Sequence, residues 1–168
     1  SYLTGSIATS PAAVNLSAEG AADWAHWGAT SSSSFNHKAG VTSQIGDFTL
    51  IGSGVNRYSS SRRTGFSWSG GTPSASVSNT RTGIYFPGAG YGCRLIVPAG
   101  ADERTLKVYV GGWRVEGGFQ AYLSDGSAPS YSVLISNPTD IIDRVVTLTY
   151  SAASAGVNLV IEYLVAND

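Results

Sequence analysis

Charge is what this chain of 168 residues has least of: only 12% are Asp, Glu, Lys or Arg, about half of the ~25% usual in soluble domains. Ten basic residues against eleven acidic ones leave a net charge of -1. No field of one sign gathers a polyanion, which excludes nucleic acid and an anionic lipid surface as partners. No apolar run reaches the roughly 18 residues that a membrane-crossing helix needs, so no membrane partner is expected. Methionine is absent, and Gly, Ser, Thr, Val and Tyr stand where a helical bundle would carry Glu, Lys, Leu and Arg. The single cysteine, Cys93, can form no internal disulfide and no zinc site, and is read as buried packing rather than a reactive thiol. Chemistry-bearing motifs are missing too. The chain has no HExxH, no GxSxG elbow and no phosphate-cradling glycine pattern, and neither His26 nor His37 has metal-ligand spacing. The carboxylates lie mostly in turns rather than as a pair flanking one bond. No catalysis is expected.

What remains is glycine, hydroxyl residues and alternation. The length fits one domain, with a core expected from about Ala13 to Leu164. Period-two patterns mark Gly92 to Val97, Arg104 to Val110, Gly118 to Leu123, Val145 to Tyr150 and Asn158 to Leu164 as strands. Weaker candidates are Ala13 to Ser17, Asp23 to Gly28, Asp47 to Ile51, Ala75 to Thr80 and Thr82 to Phe86. Turn-rich stretches separate them, among them Gly52 to Gly54, Ser69 to Pro73, Pro87 to Gly92 and Ser124 to Pro129. The spacing predicts an all-β antiparallel sandwich or jelly roll of about ten short strands, with at most a turn or two of helix, near Ala18 to Asp23.

The aromatic residues carry the binding expectation. Sugars present C–H faces that stack on rings and hydroxyls that need polar partners, so a carbohydrate site combines Trp or Tyr with Asn, His, Lys or Asp. In DWAHWG, Trp24 and His26 share one strand face and Trp27 takes the other, with Trp27 expected in the core. FNHKAG follows, offering Asn36 and Lys38. Trp68 sits beside a glycine-rich turn in FSWSGGTP, and Trp113 lies beside Arg114 in a connection between strands. With Tyr85 these residues form the candidate ligand set, placed on rim loops. Two readings stay open at Asp23, His26, Asn36 and Lys38: hydroxyl partners for a ligand, or a buried polar network pinning two segments together. Arg57, Arg62, Arg63 and Arg81 are read as solvated, with a local basic edge at Tyr58 to Arg63 that suits acidic sugars.

The strings DWAHWG, FNHKAG, FSWSGGTP, RTLKVYVGGW and AYLSDGSAP resemble a module of bacterial secreted and cell-surface proteins, in the general layout of galactose-binding-like and malectin-like jelly rolls. That resemblance spans about Ala13 to Leu164. It implies a non-catalytic carbohydrate-binding module, extracellular, covalently joined to a catalytic or surface domain and holding it to a polysaccharide or oligosaccharide. It supplies no ligand residues position by position. The competing expectation is a structural or adhesive spacer with no glycan ligand and every tryptophan in the core. The chain opens at Ser1 without a charged and then apolar leader, as a processed or excised fragment would. No cofactor is expected. Many jelly-roll modules hold a structural calcium, for which Glu19, Asp47 or Glu162 would be donors, but no calcium-loop motif is present.

Overall fold

A computed structural model describes residues 1–52 and 55–167 of the chain. Two residues of the expected Gly52 to Gly54 turn, Ser53 and Gly54, lie outside the described residues. In chain order the elements are β1 (Tyr2–Thr9), β2 (Ala13–Asn15), α1 (Leu16–Glu19), β3 (Ala25–Trp27), β4 (Phe35–Lys38), β5 (Thr49–Ile51), β6 (Arg57–Ser59) and β7 (Gly65–Trp68). They continue with β8 (Gly71–Thr72), β9 (Val77–Thr80), β10 (Gly83–Tyr85), β11 (Gly92–Pro98), β12 (Arg104–Leu123), β13 (Tyr131–Ser151) and β14 (Asn158–Asn167). The protein is all-β, with antiparallel sheets layered as a sandwich and a single four-residue helix among the described residues.

The main sheet runs β1-β13-β12-β14-β11-β5, and its centre is a hairpin far longer than the sequence suggests. Residues 104–110 and 118–123, expected as two strands with Trp113 in a loop between them, are one strand of 20 residues. Its partner β13 has 21, of which only Val145 to Tyr150 was expected. Glycine misled the reading. Gly111, Gly112 and Gly117 mark close approaches rather than a turn: a Cβ on Gly111 would meet the Ile142 carbonyl oxygen at 2.0 Å, and one on Gly117 the Tyr163 hydroxyl oxygen at 2.3 Å. A glycine inside a strand has this use. The hairpin bends where register shifts between Trp113 and Val115. Arg114 there adopts a left-handed φ of 48°, while on the facing strand Asn137 Oδ1 accepts from the Thr139 and Asp140 amides and lifts that stretch out of the ladder.

The bend divides the hairpin into two arms. The first arm pairs Arg104 to Trp113 with Ile141 to Tyr150, and the second pairs Val115 to Ala121 with Tyr131 to Asn137. From Glu116 onward β12 also pairs with β14. Folding one arm toward the other brings Leu3, Val146, Leu148 and Tyr150 into one core with Phe119, Ala121, Leu123, Leu159 and Ile161. That core begins ahead of the expected Ala13, because β1 pairs with β13 from Tyr2↔Ser151 to Thr9↔Arg144.

Three small sheets, β2-β7-β9, β3-β4-β8 and β10-β6, cover the rest. The first contains one parallel pair, β2 with β7, an exception to the antiparallel expectation. Helix α1 begins where Asn15 Oδ1 accepts from the Ala18 amide, which is why it starts ahead of the expected Ala18. Val14, Leu16, Trp24, Phe66 and Trp68 form a second core beneath these sheets. Tyr109 of β12 packs edge-on against Phe66 and joins it to the main sheet.

Candidate functional site

Between the main sheet and the small ones lies a cleft of about 1050 Å³. Every residue of β12 from Thr105 to Val115 lines it, one strand face and the other alike. That pattern identifies the strand's edge as the wall. Across this stretch β12 is paired with β13 on one side, and β14 joins its other side only from Glu116. The opposite walls come from β11 (Cys93, Leu95, Val97), from Trp24 to Trp27, and from β6 and β10.

Three aromatic side chains of the cleft lining are exposed. Tyr85 is 43% exposed, Tyr58 39% and Trp113 63%, and all three line the cleft. Antiparallel pairing of β6 with β10 places Tyr58 opposite Ile84 and Tyr85 opposite Arg57. Trp113 is held by the strand bend rather than by a loop, and the Arg114 guanidinium lies over its ring at 5.0 Å from the centroid.

Two ion pairs stand on the cleft wall, whose cations and carboxylates are equal in number. Arg62 meets Asp143 at 3.1 Å, with Asp143 also accepting from the Arg63 and Thr64 amides. Lys107 lies 3.4 Å from Glu19, which accepts in addition from the Tyr109 hydroxyl. His26 is buried against Phe66 and Trp68, with Nε2 at 3.1 Å from the Thr82 carbonyl and Nδ1 without a partner. Burial, and then the Arg62 charge, push its pKa down to about 4, so the ring is neutral at pH 7 and carries its proton on Nε2, donating to Thr82. Cys93 is half-buried on the cleft wall, and burial pushes its thiol up to about 12. It is inert at neutral pH.

The structure separates the sequence-named residues into three groups. Trp113 and Tyr85 both line the cleft and are exposed. Trp24, His26, Asn36 and Trp68 are buried and form no rim. Trp24 packs on Trp68 with ring centroids 5.3 Å apart, Trp68 Nε1 donates to the Ser74 carbonyl, and Asn36 Oδ1 accepts from the Ser74 amide. This is the polar and aromatic pinning that was the alternative at Asn36 and His26, although Trp24 and His26 also back the cleft. Lys38 stands apart, its Nζ donating to the Ala21 carbonyl. The expected faces of β3 are reversed. Trp24 and His26 point inward, while Trp27 is half-exposed, stacked on Phe35 and donating from Nε1 to Asp47. Arg62 is not a solvated cation either, since it is largely buried against Asp143, whereas Arg63 is solvated as expected, in an exposed pair with Asp140. Tyr58 was missed. Its signal was an aromatic residue leading a polar run, which reads equally well as a turn.

The three carboxylates considered for calcium are engaged elsewhere: Glu19 as above, Asp47 with Trp27 and the Phe48 amide, Glu162 with Arg94 and Gln120. Among the described residues no three His, Cys, Asp or Glu side chains gather as a metal site would require. No helix among them is long and apolar enough to cross a membrane. The chain matches no protein-family model, no curated protein and no solved structure. The site is therefore read from its own geometry.

Proposed function

We propose that the protein is a non-catalytic carbohydrate-binding module, of jelly-roll type, that holds a neutral polysaccharide or oligosaccharide at the exposed aromatic residues of the cleft. The observation that carries this reading is that Trp113, Tyr85 and Tyr58, from separate strands, are exposed rings lining one cleft. Several exposed aromatic rings lining one cleft offer faces on which the C–H face of a sugar can stack. The surrounding surface supports an uncharged, hydroxyl-rich ligand, because the cations of the cleft (Arg62, Lys107, Arg114) are matched by as many carboxylates (Glu19, Asp23, Asp143), and two of each are paired with one another. The low net charge of -1 points the same way. A module of this kind works outside the cell, joined to an enzyme or surface domain that it keeps near the glycan.

Affinity electrophoresis through gels containing a panel of neutral polysaccharides tests the reading. The native chain is retarded by at least one of them, and Trp113→Ala loses most of that retardation, with about tenfold weaker binding for one stacking ring removed. No retardation in any gel would leave the structural spacer as the better reading.

A further inference from the structure

The first arm of β12 is a strand with one neighbour. Its inward residues Leu106, Val108 and Val110 are only half-buried, whereas the residues paired with Leu106 and Val108, Leu148 and Val146, are completely buried. The same alternation on the same sheet gives two degrees of burial because β13 is flanked on both sides, by β1 and β12, while β12 is flanked only by β13 until Glu116. Backbone N–H and C=O groups on that free side face the cleft. Among the described residues the one hydrogen bond reaching the backbone from that side is from the Tyr163 hydroxyl to the Gly111 carbonyl. An edge of this kind, unblocked by proline or a bulge from Arg104 to Val110, is a template for another strand.

We infer that this edge accepts an extended peptide of a partner protein, which adds as a strand within the cleft. The cleft specifies the peptide's chemistry. One face of an added strand would lie beside Leu106, Val108 and Val110, which calls for apolar side chains at alternate positions. Its other face would lie beside Thr105, Lys107 and Tyr109, where Lys107 and the Tyr109 hydroxyl are both satisfied by Glu19. That face is open to solvent, Thr105 and Lys107 both being exposed, so polar side chains such as Thr or Ser suit it. The occupant is thus an amphipathic strand of alternating Val- or Ile-like and Thr- or Ser-like residues. Glycan capture at Trp113 and Tyr85 could fail without affecting this edge.

The test is calorimetric titration of the intact chain with an acetylated, amidated Thr-Val-Thr-Val-Thr-Val-Thr peptide, beside a Thr-Val-Thr-Pro-Thr-Val-Thr control that cannot complete a ladder. The alternating peptide binds, the proline control binds at least tenfold more weakly, and amide exchange slows along Thr105 to Trp113. Val108→Lys, which points a charge into the cleft, weakens binding at least tenfold. Leu106→Lys serves if that variant does not fold. Equal binding of the two peptides, or binding without slowed exchange on β12, overturns strand addition. No heat and no protection at millimolar peptide overturns it as well.

Discussion

The two arms of one hairpin alternate alike and yet end in different surroundings. In the second arm Phe119, Ala121 and Leu123 are 1%, 0% and 1% exposed, enclosed by β13 on one side, β14 on the other and the folded-over first arm above. In the first arm Leu106, Val108 and Val110 occupy equivalent inward positions and remain half-open on a cleft. Residue identity does not explain the contrast, since all are apolar and inward. The missing third strand does. Alternation specifies which way a side chain points, and only the neighbours decide whether anything covers it.

The contrast can be broken most forcefully at Phe119. Phe119→Ala leaves a void that the flanking strands cannot fill and costs about 4 kcal/mol in urea denaturation, whereas Leu106→Ala, already half in solvent, costs about 1.5 kcal/mol. Similar losses at both sites would show that the cleft closes in solution.

Next in size is a pH effect confined to the cleft side. The His26 pKa is lowered from 6.5 to about 4 by burial and then by Arg62. Between these values the unfolded chain holds more protons than the folded one, so stability is complete above pH 6.5 and falls as pH drops toward 4. The loss is about 3 kcal/mol. His26→Gln flattens that part of a melting-temperature profile taken from pH 7 to 4. An unchanged slope in the variant would remove His26 as its source.

Smallest is the effect of Trp113→Ala on folding. A ring 63% exposed contributes little packing, so stability stays within about 0.5 kcal/mol while retention by a glycan gel is lost. A large drop in stability would recast Trp113 as a structural wedge at the bend.

The parts of the fold legible in the sequence are those where alternation runs unbroken, such as Gly92 to Pro98 and the strand beginning at Asn158. The long hairpin was not legible because its glycines serve close approach and Asn137 forms a turn inside a strand, and both look like ends of strands. Position in the sheet also decided the site. Tyr85 and Trp113 could be named from residue type, but Trp24 and Trp68 have the same type and sit in the second core. Nothing local distinguishes an exposed tryptophan from a core one when the deciding contact lies dozens of residues away. The free edge of β12 was equally hidden, since it depends on where β14 stops pairing.

The pairing of Tyr2 with Ser151 also imposes an order in time. The β12–β13 hairpin is joined by a short connection and closes early, because a short loop costs little entropy. Strand β1 pairs across nearly the whole described chain. It must wait until β13 exists, and β13 is a bare edge until it arrives. Until β1 docks, that edge of β13 is open to pairing with a wrong neighbour.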